Sequence, residues 1–146
     1  REPTALQPYI LYTIALNDNQ AYNKVVKIAS DGLDNVDDDN FHLLYSRAEA
    51  YSRLGRYVDA ANDFMEAYDE VSENFVEVDT AMMAAISYLK AGEIAKGRKW
   101  FDKAMSKVEG EDDTKTEKLR VEISERWNCL VNTEDNSQKC LAVRAG

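Results

Sequence analysis

Proline occurs only at Pro3 and Pro8 of the 146-residue chain, so nothing beyond the first eight residues carries proline's helix-breaking ring. Cysteine is almost as scarce. Cys129 and Cys140 stand too far apart for a CxxC pair, which removes zinc-ribbon and thioredoxin-type chemistry. Two separate buried thiols on helices are the expected state, with a disulfide as the alternative in an oxidising compartment. A single histidine, His42, leaves no second imidazole for a ligand set or a catalytic relay. Beside Asp38 and Asp39 it reads as a surface or capping residue. The run Asp37-Asp38-Asp39 lacks the glycine and the bidentate glutamate of an EF-hand, so it is expected to be a solvated turn. With no glycine-rich phosphate loop either, no metal, cofactor or enzyme activity is expected.

Positive charge is also short. Eighteen Lys and Arg against 27 Asp and Glu leave a net charge of −9 and a pI near 4.6, which argues against binding a nucleic-acid backbone. The acidity serves solubility, or alternatively a partly basic partner. No apolar run approaches the roughly 18 residues of a membrane span, and Arg1-Glu2-Pro3 lacks a signal peptide's apolar stretch. A start other than methionine fits a processed or excised chain. The compartment is left open, with the cytoplasm as the default.

What is present is helical. Hydrophobic residues at 45% and charged residues at 31% suit one folded domain over 1–146. Apolar residues recur three and four apart, as in Leu44, Ala48, Tyr51 and Leu54, then Ala60, Phe64, Ala67 and Val71. Between such runs lie short breaks, among them Gly55-Arg56, Ser72-Glu73-Asn74, Gly92-Glu93 and Gly110 to Asp113. Asp39 or Asn40 is placed to cap a helix starting near Phe41, and Thr114 with Glu117 has capping-box spacing.

The helices fall into repeating pairs. Ala48, Tyr51, Gly55, Tyr57, Ala60, Phe64 and Ala67 are followed at the same spacings by Ala85, Tyr88, Gly92, Ile94, Gly97, Phe101 and Ala104. A fainter copy comes first, with Tyr9, Thr13, Leu16, Gln20, Tyr22, Val25, Ala29 and Gly32. The copies' anchors, Tyr9, Leu44 and Ala81, are 35 and 37 residues apart. This pattern resembles the tetratricopeptide-repeat (TPR) family, whose period is about 34 residues. The resemblance departs from the family in lacking a proline after each second helix, where Asp37, Ser72 and Glu109 stand.

The resemblance implies an all-α fold of antiparallel helix pairs stacked as a short right-handed TPR superhelix. About three repeats, near 6–40, 41–77 and 78–111, would be followed by a capping helix and tail over 114–146. The apolar series Leu119, Ile123, Trp127, Leu130 and Val131 suits that capping helix, and a short last helix would turn Cys140 and Val143 inward.

The resemblance further implies a concave groove for a partner's peptide or helix. Its expected lining is Ile10, Ile14, Tyr45, Glu49, Arg53, Met82, Met83, Ile86, Leu89 and Lys90. Burial of the same Met and Ile residues under the chain's own segments is the competing expectation. Slots that in chaperone-binding TPR domains hold a Lys, Asn, Asn, Lys and Arg carboxylate clamp are occupied by Ile10, Ile14, Ser46, Asp79 and Met83, so the clamp is absent. The expected function is thus a protein-interaction scaffold or chaperone-like adaptor. The alternative is a structural or homo-oligomerising module of a larger assembly.

Overall fold

The computed structural model describes residues 21–35, 40–71, 74–108 and 114–145. Among them are seven helices and no strand: α1 (Tyr22–Asn35), α2 (Phe41–Arg53), α3 (Tyr57–Asp69), α4 (Asn74–Lys90), α5 (Ile94–Val108), α6 (Thr114–Val131) and α7 (Gln138–Ala145). The chain is therefore all-α, as the spacing predicts. Each helix packs on the next up to α4 and α5, α6 lies against α5 and α4, and α7 lies against α6. Val25, Ala29 and Gly32 on α1, the faint copy's counterparts of Ala60, Phe64 and Ala67, are all buried. Tyr9, Thr13, Leu16 and Gln20, the first half of the faint copy, lie outside the described residues.

Two turns repeat one another bond for bond. After α2, Gly55 takes φ 77° and donates to Ser52 O, while Arg56 donates to Tyr51 O. After α4, Gly92 takes φ 83° and donates to Leu89 O, while Glu93 donates to Tyr88 O. Both are Schellman caps, in which a left-handed glycine satisfies carbonyls that the ending helix leaves free. Each reverses the chain into an antiparallel hairpin. Helix crossing then depends on small residues. Ala48, Ala60, Ala85 and Ala104 are fully buried, and a Cβ added to Gly97 would meet the Ala85 carbonyl oxygen at 3.0 Å. Aromatic rings fill the remaining space, with Phe64 fully buried and edge-on to Tyr45 at 5.1 Å. Trp100, outside the repeat pattern, is also buried and edge-on to Tyr68 at 5.2 Å.

One ion pair ties the first three helices together. Arg47 on α2 donates through Nε and Nη2 to the two oxygens of Asp63 on α3, at 2.7 and 2.8 Å, and through Nη1 to Ser30 on α1 at 3.0 Å. The Asp63 hydrogen bonds hold the Arg47 guanidinium above its ordinary value, while burial pushes the Asp63 carboxyl up against Arg47's pull. Fork-to-fork geometry fixes how α2 lies on α3, at a desolvation cost that makes the pair far worse broken than absent.

Capping differs from the sequence expectation at the start of α2. Asn40 stands before α2, yet its side chain makes no cap bond. Glu117 accepts two bonds from Arg120, at 2.7 and 3.1 Å, a pairing one turn along the helix that holds its carboxyl below the usual range. Residues three apart face each other on a helix, which lets the two groups meet, while the side chain of Thr114 lies outside the described residues.

The last two helices close the far end. Trp127 on α6 is 1% exposed and stacks on Phe101 at 4.8 Å, and Ile123 is buried beside it. The expectation of two separate thiols is overturned: Cys129 on α6 and Cys140 on α7 form a disulfide across a Cα separation of 4.9 Å. Ser137 explains the approach. Its hydroxyl accepts from Cys140 N at 3.3 Å, an N-cap that starts α7 and aims Cys140 back at α6. Arg144 then donates to the Cys129, Asn132 and Asp135 carbonyls, satisfying the end of α6.

Replacing Asp63 by Ala should cost about 3–5 kcal/mol, because Arg47 is left half-buried without a partner, whereas Arg47→Met with Asp63→Leu should be close to neutral. Urea melts of the three proteins check this. Reducing the disulfide should remove about 2–4 kcal/mol from the docking of α7. Hydrogen exchange should then speed up over residues 138–145 while α2 to α5 stay protected.

Candidate functional site

Three depressions open on the face formed by α2, α4 and α6. The first, about 430 Å³, is lined by Phe41, His42, Tyr45, Ser46, Glu49, Val76 and Asp79. The second, about 310 Å³, lies between Val78, Asp79 and Met82 of α4 and Leu119, Glu122, Ile123 and Arg126 of α6. The third, about 290 Å³, is bounded by Glu49 and Arg53 of α2, Met83, Ile86 and Lys90 of α4, Arg126 and Leu130 of α6, and Val143 of α7. Shared residues join them: Asp79 borders the first two, Arg126 the second and third, and Glu49 the first and third.

The expected groove residues divide by depth. Ile10 and Ile14 lie outside the described residues. Tyr45 is half-buried and Glu49 exposed, both lining the first depression. Arg53 and Lys90 are exposed in the last turns of α2 and α4. Met83 and Leu89 are half-buried. Met82 and Ile86, by contrast, are 3% and 6% exposed and belong to the continuous core, touching the depressions only by an edge. Ile123 of α6 belongs to the same core, and the half-buried Leu119 packs against it.

Arg126, Leu130 and Val143 also line these depressions, and the sequence expectations did not include them. A signal for one of them exists. Stepping 37 residues from the anchor Ala81 reaches Lys118, and the positions one, five and eight beyond it are Leu119, Ile123 and Arg126. All three line the second depression. No such signal marks Val143, whose place depends on the disulfide.

Charge is unevenly spread along the face. The Tyr45 hydroxyl donates to Asp79 Oδ2 at 2.7 Å, tying α2 to α4. Burial first and then this bond raise the Tyr45 phenol well above its usual value, so it stays protonated. His42 packs edge-on to Phe41 at 5.3 Å. At the other end Arg53, Lys90 and Arg126 converge on the third depression. None of the three makes an ion pair among the described residues, and Lys90 rests over the Tyr57 ring at 5.7 Å. No group of three His, Cys, Asp or Glu side chains is arranged to hold a metal ion, and no helix is long and apolar enough to cross a membrane, among the described residues.

No protein-family model, curated protein or solved structure matches the chain.

Met83→Glu should leave the thermal midpoint within a few degrees, since the new carboxylate reaches solvent. Met82→Glu or Ile86→Glu should cost several kcal/mol by burying a charge. Circular-dichroism melts of the three variants separate groove wall from core.

Proposed function

We propose that the chain is a TPR-type protein-interaction module, without enzymatic activity, that holds a segment of a partner protein along the face of α2, α4 and α6. The observation that carries the reading is the joined set of depressions, in which half-buried Met83 and Leu130 lie beside Arg53, Lys90 and Arg126, three exposed cations that form no ion pair among the described residues. Such a surface suits recognition: flexible thioether and aliphatic side chains supply adaptable contact, and the surrounding charges set register and direction. The family reading is supported by the two matching glycine turns, by small residues at the helix crossings, and by the Tyr45–Asp79 bond between helices 34 residues apart. Ser46, Asp79 and Met83, at three of the clamp slots, give the face none of the clamp's cations or amides, so a heat-shock tail held by that clamp is disfavoured. The disulfide fits an oxidising compartment better than the reducing cytoplasm.

A photo-crosslinking amino acid placed at Met83 should capture partner protein, while the same probe at Asn62, exposed on α3, should not. Met83→Glu should abolish the captured binding with its melt unchanged. Equal capture from both positions would refute a groove. A mass that doubles with concentration in light scattering, with chain-to-chain crosslinks at Met83, would instead establish the self-assembling module.

A further inference from the structure

We propose that the depression framed by Arg53, Lys90 and Arg126 is an anion-selecting subsite that takes an aspartate or glutamate side chain of the bound segment, flanked by an apolar residue. The inference rests on the groove reading and adds to it the chemistry of the partner. Three helices each contribute one cation to this depression, against the single carboxylate of Glu49. That local excess stands out on a chain whose net charge is −9. Arg126 lines the neighbouring depression together with Asp79 and Glu122, yet forms an ion pair with neither, so its guanidinium remains open to an incoming acid. Beneath the cations lie Met83, Ile86 and Leu130, an apolar floor that a carboxylate-bearing residue alone would not use.

Helix-end electrostatics offer a lesser role for two of these residues. Arg53 and Lys90 occupy the last turns of α2 and α4, where cations favour the negative end of a helix dipole. That role places no demand on Arg126, which sits on the same depression from a third helix. Screening decides which polyanions fit. At physiological salt, fields reach about 8 Å, so a short acidic segment feels the three cations while a long nucleic-acid backbone meets the acidic body around them. The adjoining depression carries Asp79 and Glu122, which repel the same acid and give the segment one direction.

Panning a random dodecapeptide display library on the oxidised chain tests this. Enriched peptides should carry acidic residues beside apolar ones. Changing their acids to the matching amides should weaken binding about tenfold, as expected of several exposed charge contacts acting together. The R53Q/K90Q/R126Q variant, confirmed folded by its melt, should lose the same factor. Should that variant not fold, wild-type affinity for the enriched peptides should still fall as NaCl rises from about 0.05 to 0.5 M. Enrichment of neutral or basic peptides that Met83→Glu excludes would overturn the anion subsite and leave the groove standing. No enrichment at all would overturn both.

Discussion

How closely two helix backbones can approach governs nearly everything else in this molecule. At Gly97 the α5 backbone comes so near the Ala85 carbonyl that even a methyl group is crowded, and Trp127 of α6 fills the same notch from the far side. The α4–α5 hairpin, the seat of the closing helix and the spacing of α4 from α6 are thus set at one contact. Widening it would move Arg126 away from Lys90 and dissolve the depression they share. Close packing makes such a position discrete, because an interior without voids has no slack to absorb a shift.

A second constraint acts at the opposite end by charge. Arg47, Asp63 and Ser30 hold three helices through directed bonds, where burial of apolar area alone would permit sliding. Hydrophobic contact is non-directional, and the fork of a guanidinium on a carboxylate is not. Packing therefore supplies cohesion, and the ion pair supplies registry.

Helices were readable in the sequence because their period of 3.6 is written locally, and the turn glycines because positive φ selects glycine. The seat of Trp127 and the inward Cys140 followed from the same spacing. Asp63 was not readable as buried. Its partner lies 16 residues away across a hairpin, and nothing local distinguishes it from a solvated acid. Depth along this face was obscured for a related reason: Met82, Met83 and Ile86 share one broad side of α4, and local spacing does not say which of them neighbouring helices bury. The disulfide depended on α7 folding back, which Ser137 arranges through a cap worth about 1 kcal/mol. Arg126 was hidden because it is an exposed residue of α6, and nothing local distinguishes it from a solvated arginine.

Because α2 and α3, and likewise α4 and α5, are joined by tight glycine turns, most of the core is built between neighbours in sequence. Chains of such low contact order fold quickly, since little loop entropy is lost before contacts form. During synthesis each hairpin can close soon after it leaves the ribosome, before α6 exists to cover it. Until then the apolar side of α4 stands open, and the arrival of Trp127 and the oxidation of Cys129 with Cys140 come after the hairpins have closed. Quality control acting on a nascent chain would meet an unfinished end rather than an unfolded protein.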